Sequence, residues 1–185
     1  MAYSICIERI ISDPASWIHS SRTGLPDLCC EGIPRGIINK TLVRQFALDE
    51  IHCLDSDAGI IQMVINNWYL LREAAWSMAC QRYRSWILQH QTQDFLTPKV
   101  RSFMMLNITP AVLHRREKVD EIKIWQLAYA ELTPLNMLLP DALINRIKLL
   151  FPEGISDVSV ERQSEFDSVL FLMAVQHAKK FTVTL

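Results

Sequence analysis

The chain has 185 residues, of which 50% are hydrophobic and 21% are charged, and its formal net charge at pH 7 is −1. This length is enough to bury an apolar core, and the composition excludes a disordered chain. A net charge near zero gives no global field that would favour nucleic acid or an anionic membrane. The chain has five glycines, and so few favour helices over tight hairpins.

The N-terminal part is expected to be rich in loops. Residues 3–11 are mostly apolar and fit either a short helix or a short strand. Asp13 and Pro14 then have the pattern of a helix start, because an N-cap aspartate accepts unpaired N–H groups and proline has none to leave unpaired. Residues 20–36 are rich in Ser, Thr, Pro and Gly and are interpreted as an irregular surface loop. We therefore expect residues 1–36 to be a loop-rich segment packed on a helical body.

Apolar residues recur at helical spacing through the middle of the chain. A first stripe comprises Ile38, Leu42, Val43 and Phe46. A longer stripe comprises Ile60, Ile61, Val64, Ile65, Trp68, Leu71, Ala75, Met78, Ala79, Tyr83, Trp86 and Ile87. The polar run Asp55-Ser56-Asp57 supplies an N-cap before it. The spacing predicts a long helix over about 57–90, either continuous or interrupted.

The last half of the chain predicts further helices. Thr97 and Pro98 start one, which Pro110 is expected to end, with Val100, Phe103 and Met104 facing inward. Ile108 is a further candidate for the inward face of that helix. Another helix, with Ile122, Trp125, Leu127, Ala128 and Tyr129, runs towards Pro134, where a break or kink is expected. Asp141 begins a helix ended by Pro152, and residues 153–160 form a loop with some β character. The last helix carries Phe166, Val169, Leu170, Met173, Ala174 and His177.

These elements predict an all-α protein, an irregular bundle of about six or seven helices in a single domain over residues 1–185. The N-terminus lacks the pattern of a signal peptide, and no apolar run reaches the length of a membrane span, so we expect a cytosolic protein without direct membrane insertion. Five cysteines, an odd number without zinc-site spacing, are expected to be reduced thiols.

No catalytic, cofactor-binding or metal-binding residues are predicted, because the phosphate-loop, zinc-protease, Cys-x-x-Cys and nucleophile-elbow motifs are all missing. Cys53 follows His52 directly, and sequence neighbours on a helix do not face each other, so they make no dyad. A thiol and a histidine brought together by the fold remain an alternative. Glu73 and Glu131 are interpreted as exposed or helix-satisfied acids, with a general acid as the alternative.

The five tryptophans are more informative. They are Trp17, Trp68, Trp76, Trp86 and Trp125. Most are expected to pack in the core, and one or two are expected to anchor a binding surface if they lie exposed. Arg82 and Arg84, near Tyr83 and Trp86, are the nearest approach to a nucleic-acid stacking surface. The basic run 114–118 is interpreted as a solvated loop or helix start, with a patch for an acidic partner as the alternative.

Four segments together resemble the SctK family, the OrgA- and MxiK-like accessory proteins of type III secretion systems. They are Arg9–His19; Asn67–Leu71 leading to Ala75 and Cys80; Leu135–Pro140 through Arg146 to Leu149–Pro152; and Leu172–Phe181. Their order and spacing match across nearly the whole chain, while residues 88–120 show little resemblance and have no assigned role.

The resemblance implies a non-enzymatic cytoplasmic adaptor of the sorting platform. Such an adaptor joins the SctQ-type pod protein to the cytoplasmic domain of the SctD-type inner-membrane ring protein. The pods in turn carry the SctL–SctN stalk and ATPase. The residues that bind these partners are unknown from the sequence. A secretion chaperone or regulator that holds substrates transiently is the alternative, although such chaperones tend to be smaller and more acidic.

Overall fold

The computed structural model describes residues 2–24, 33–48, 59–89, 96–112, 120–155 and 165–182. These ranges contain ten α-helices and no strand. The helices are α1 (Ala2–Ser12), α2 (Ser20–Thr23), α3 (Arg35–Gln45), α4 (Gly59–Asn66), α5 (Leu71–Arg82), α6 (Arg84–Gln89), α7 (Pro98–Met104), α8 (Glu121–Leu132), α9 (Asp141–Leu149) and α10 (Ser168–Thr182). The all-α prediction is confirmed, with more and shorter helices than the six or seven expected.

The predicted long helix over 57–90 is broken into α4, a 3₁₀ turn at Trp68–Leu70, α5 and α6. At the first break the Asn67 side chain donates from Nδ2 to the Met63 carbonyl (2.7 Å). A polar side chain that bonds a carbonyl one turn back competes with the helix ladder. The second break lies at Tyr83, whose N–H is the last to bond within α5, to the Ala79 carbonyl. The predicted N-cap at 55–57 lies outside the described residues.

The N-terminal segment is more helical than predicted over the part that the structure describes. Residues 3–11 belong to a helix, α1, and a 3₁₀ turn follows at Pro14–Ser16. Asp13 occupies the N-cap position of that turn but makes no capping hydrogen bond with its side chain, so the predicted role of this carboxylate is wrong. Its oxygens instead accept hydrogen bonds from Arg35 (2.8 and 2.9 Å) and Asn39 (2.9 Å). Mainly because of the bond from Arg35, the pKa of Asp13 is lowered.

The described residues form two compact units. The first comprises Met1–Tyr69 and Leu135–Gly154. In its core the rings of Trp17 and Trp68 meet edge to face with centroids 5.7 Å apart. The segment from residue 135 onward packs against the N-terminal part of the chain, where the Arg22 side chain donates to the carbonyls of Phe151 (2.6 Å) and Pro152 (3.0 Å). That a single domain spans residues 1–185 stays a prediction.

The second unit comprises Leu70–Pro134 and Ile155–Leu185, and α5 lies at its centre. Helices α7, α8 and α10 all pack on α5. Its buried residues are Leu71, Ala74, Ala75, Trp76, Ser77, Met78, Ala79, Cys80 and Gln81. Several of these side chains are small, which lets α7, α8 and α10 pack closely on different sides of α5. This helix is therefore buried around most of its circumference, which a single apolar stripe did not predict.

Part of the central region 88–120 has a structural role. Helix α7 begins where predicted, with the Thr97 side chain accepting a hydrogen bond from the Val100 N–H (3.3 Å), but it ends at Met104, well before Pro110. The chain after it bonds to the end of α5 instead. The buried Gln81 side chain donates to the Leu106 carbonyl (3.0 Å), and the Arg82 carbonyl accepts from the N–H of Val112 (2.9 Å).

The remaining elements follow the sequence pattern closely. Pro134 lies in a 3₁₀ helix, Thr133–Met137, that ends α8 as expected, and α9 begins at Asp141. Beyond Ile155, the predicted loop over 153–160 lies outside the described residues. No helix in the described part of the chain is long and apolar enough to span a membrane.

Replacing Trp68 tests the core of the first unit. Trp68 has 1% of its surface exposed, so Trp68→Ala is expected to lower the free energy of unfolding by about 3–5 kcal/mol. Its exposed neighbour is a matched control, because Tyr69→Ala is expected to cost less than about 1 kcal/mol. Urea denaturation measures both values. Equal, small losses for the two variants would contradict the packing described here.

Candidate interaction surfaces

The five tryptophans divide as expected between core and surface. Trp17, Trp68, Trp76 and Trp86 are all buried, which confirms core packing for most of them. Trp125 on α8 is partly exposed. Partly exposed aromatic side chains are frequent anchors of protein interfaces, so Trp125 is the candidate anchor among the five.

Trp125 lies in a groove of the second unit, here called the aromatic groove. Its ring packs on that of Trp76 from α5, with centroids 4.1 Å apart. Its Nε1 donates to the Glu121 carboxylate one turn earlier (3.3 Å). The groove has a volume of about 290 Å³ and is lined by Arg72, Glu73, Trp76, Thr97, Val100, Glu121 and Trp125. An aromatic floor with charged side chains at its edge suits an apolar side chain of a partner.

The last helix carries a second exposed apolar feature, here called the α10 stripe. Leu170, Phe171, Ala174, Val175 and Ala178 are buried against the unit. On the other side, Val169, Leu172 and Met173 have 66%, 43% and 38% of their surface exposed. These three residues are spaced i, i+3 and i+4, so they form one continuous patch. The sequence pattern treated Val169, Leu170, Met173 and Ala174 as one apolar set, whereas the structure separates them onto two faces.

A third surface lies in the first unit, where α1 and α3 border a groove of about 510 Å³. It is lined by Ile11, Ser12, Gly36, Asn39, Lys40, Val43 and Arg44 and is here called the α1–α3 groove. Sequence reasoning did not find it, because the groove requires two helices that are far apart in sequence. A signal was nonetheless present, since α3 contains three basic residues and no acid.

Glu131 has a structural partner that the sequence did not reveal. Its carboxylate has 2% of its surface exposed and accepts two hydrogen bonds from Arg82, at 2.7 and 3.2 Å. Arg82 also contacts the carboxylate of Asp167 (3.3 Å). Burial raises the pKa of the Glu131 carboxyl, and the hydrogen bonds from Arg82 act in the opposite direction. Glu73, the other candidate acid, forms an ion pair with Lys99.

The residues considered for nucleic-acid stacking are engaged inside the second unit. Arg84 donates to the carbonyls of Gln81 (2.9 Å) and Thr109 (2.8 Å), and Arg82 binds Glu131. Tyr83 and Trp86 have 5% and 1% of their surface exposed, so neither presents a ring face to a base. These four residues therefore do not form a surface on which nucleic-acid bases could stack.

Cys80 and His177 both pack against other residues of the second unit. Cys80 is fully buried, and burial raises the pKa of its thiol well above the usual range. His177 lies between the rings of Phe103 and Phe181, each with its centroid 5.1 Å away, and its Nε2 is 3.1 Å from the Ser102 hydroxyl. Burial, followed by the charges of Lys99 and Lys180, lowers the pKa of His177.

Several candidates lie outside the described residues. They are His52, Cys53, His90 and the basic run 114–118. Among the residues that are described, no group of three or more His, Cys, Asp or Glu side chains is arranged to hold a metal ion.

Comparison with known proteins identifies the family. A family model described as "Bacterial type III secretion apparatus protein (OrgA_MxiK)" matches residues 7–180. The chain belongs to the OrgA/MxiK family. The match covers nearly the whole sequence, including both compact units, and confirms the resemblance seen in the four sequence segments. Membership assigns the chain a role in type III secretion.

Individual OrgA/MxiK relatives are similar over the same length. "Oxygen-regulated invasion protein OrgA" of Salmonella typhimurium, from strains 14028s, SL1344 and LT2, is 24% identical over 180 residues. The alignment covers 96% of this chain and 88% of each relative. No solved structure gives a significant match.

Removing one member of the Arg82–Glu131 pair tests its place in the core. Glu131→Ala leaves a largely buried guanidinium without its bidentate partner, and we expect the free energy of unfolding to fall by about 3–5 kcal/mol. The double variant Arg82→Met with Glu131→Leu replaces both charges by apolar groups and is expected to recover most of that loss. Urea unfolding at neutral pH measures both. A double variant less stable than Glu131→Ala would contradict this expectation, because the loss could then not come mainly from leaving Arg82 without its partner.

Proposed function

We propose that this protein is a non-enzymatic cytoplasmic adaptor of a type III secretion system. It binds the SctQ-type pod protein and the cytoplasmic domain of the SctD-type inner-membrane ring protein, and so lies at the cytoplasmic face of the inner membrane. Through the pod it connects indirectly to the SctL–SctN stalk and ATPase. Membership in a family of secretion apparatus proteins supports this proposal.

The observation that carries the proposal is that each compact unit has an exposed recess of its own. The first unit has the α1–α3 groove, and the second has the aromatic groove and the α10 stripe. An adaptor needs at least two surfaces that can be occupied together. The two grooves share no lining residue, so each offers a partner its own set of contacts.

The aromatic groove has the chemistry of a binding site. Trp125 contributes a large, rigid ring at low entropic cost, since it is already held by Trp76 and by the hydrogen bond to Glu121. Ordering such a side chain in advance increases the fraction of the contact energy that is available for binding. The α10 stripe adds apolar area of the kind that marks interaction sites on soluble domains.

The surroundings of Glu131, Glu73 and Cys80 favour binding over catalysis. Glu131 is neutralised by Arg82, Glu73 is paired with Lys99, and the Cys80 thiol is buried in its uncharged form. A catalytic acid or nucleophile would have to be partly open to a substrate with its pKa tuned towards neutral pH. Burial closes Glu131 and Cys80 to a substrate, and the Glu73 carboxylate is engaged by Lys99.

Co-purification with both proposed partners tests this function. The tagged full chain is expected to capture the pod protein and the cytoplasmic domain of the ring protein together. Trp125→Ala is expected to weaken binding of one of them by about 30-fold, the effect of losing a contact of about 2 kcal/mol, while the other still binds.

Two controls accompany the Trp125 variant. Trp125→Phe keeps an aromatic ring in the groove and is expected to restore most of the binding. Tyr69→Ala changes an exposed aromatic residue of the other unit and is expected to leave binding at the aromatic groove unchanged. Retention of one partner by Trp125→Ala shows that the protein is folded. Capture of secretion substrates but of neither scaffold protein would favour a chaperone and contradict the adaptor.

A further inference from the structure

The α1–α3 groove is long enough for a short helix. Its lining residues on α3 are Gly36, Asn39, Lys40, Val43 and Arg44. They are spaced i, i+3, i+4, i+7 and i+8, so they form one face of two helical turns, which is a length of about 12 Å. A two-turn face of this kind accommodates roughly two turns of a partner helix, or a few residues of an extended segment.

The walls of the groove are held in place from behind. Helix α1 packs on α4, and α3 packs on the 3₁₀ turn at Pro14–Ser16. Asp13, next to the last residue of α1, accepts hydrogen bonds from the Arg35 and Asn39 side chains of α3. These contacts hold both helices in the unbound protein, so the groove is formed before any partner binds, which lowers the entropic cost of binding.

The charge at the groove is positive, although the whole chain is slightly acidic. Lys40 and Arg44 are exposed and line it, and the third basic residue of α3, Arg35, is paired with Asp13. No acid lies on α3, and on α1 the single acid, Glu8, is balanced by Arg9. Among the described residues that line the groove, the charged side chains are therefore the two cations Lys40 and Arg44.

The floor of the groove is apolar and open. Ile11 and Val43 line it and are partly exposed. Gly36 has no side chain, and a Cβ placed there would meet no atom within 4 Å. Gly36 therefore leaves space on the groove face of α3, where any other residue would project a side chain.

From this geometry we infer that the α1–α3 groove binds an acidic amphipathic segment of a protein partner, with apolar side chains on Ile11 and Val43 and carboxylates beside Lys40 and Arg44. Apolar contact supplies affinity, and the paired charges fix the orientation and reject basic segments. This inference rests on the proposed adaptor function and assigns a chemistry to the partner of the first unit.

A pair of labelled peptides tests the inference on the full-length protein. The first is a helical 14-residue peptide with Leu at positions i, i+3 and i+4 and Glu on the flanking positions. The second has Lys in place of every Glu. Fluorescence anisotropy is expected to show binding of the acidic peptide, weakened by added salt, and at least about tenfold weaker binding of the basic peptide.

Two variants and a matched control localise the binding. Lys40→Glu with Arg44→Glu reverses the rim charges, and Gly36→Leu fills the floor without meeting another atom at its Cβ. Each is expected to weaken the acidic peptide at least about tenfold. Lys148→Glu with Lys179→Glu makes the same change in net charge on the exposed ends of α9 and α10 and is expected to bind like the wild type.

The outcomes separate this inference from the proposed function. If the acidic peptide binds no better than the basic one, or binds the groove variants as well as the wild type, the inference is overturned even when the pod and ring proteins are still captured. If neither scaffold protein is captured but the peptide binds in the groove as described, the adaptor function fails and the chemistry of the groove stands.

Discussion

The charge at the end of the buried helix α5 organises the second unit. Arg82 lies in the last turn of a helix that is buried along most of its length, so its guanidinium needs partners within the protein. Glu131 of α8 and Asp167, just before α10, supply them. The same contacts bring α8 and α10 against α5, and this packing leaves Trp125 and the α10 stripe on the surface. A buried ion pair is weak evidence for stability, and here it connects α5 with α8 and with the residue that precedes α10.

The first unit depends on a comparable contact near the surface. The Asp13 carboxylate holds Arg35 and Asn39 of α3, while the Trp17–Trp68 pair fills the core beneath it. The carboxylate that fastens α3 therefore also defines one wall of the α1–α3 groove. In both units, polar contacts join helices that border the candidate interaction surfaces, and apolar residues fill the core.

The sequence predicted the helices well, because an apolar stripe at helical spacing and a start such as Thr97-Pro98 are local signals. The family could also be inferred from the sequence, because four segments match the OrgA/MxiK family in order and spacing. The Arg82–Glu131 pair was not, since its members are 49 residues apart and each resembles an ordinary exposed charge. The same holds for the α10 stripe, because the hydropathy of Val169 and Met173 cannot say which side of a helix is covered. The α1–α3 groove required two helices whose proximity only tertiary packing determines.

We propose that the two units bind different partners through separate surfaces. Hydrogen–deuterium exchange of the full chain, alone and with each scaffold protein, tests it most directly. Each partner is expected to slow exchange in only one region: α1 and α3 for one, and the helices bordering the aromatic groove or α10 for the other. Slower exchange in the same region with both partners would contradict the account, because the two proteins would then compete for one site.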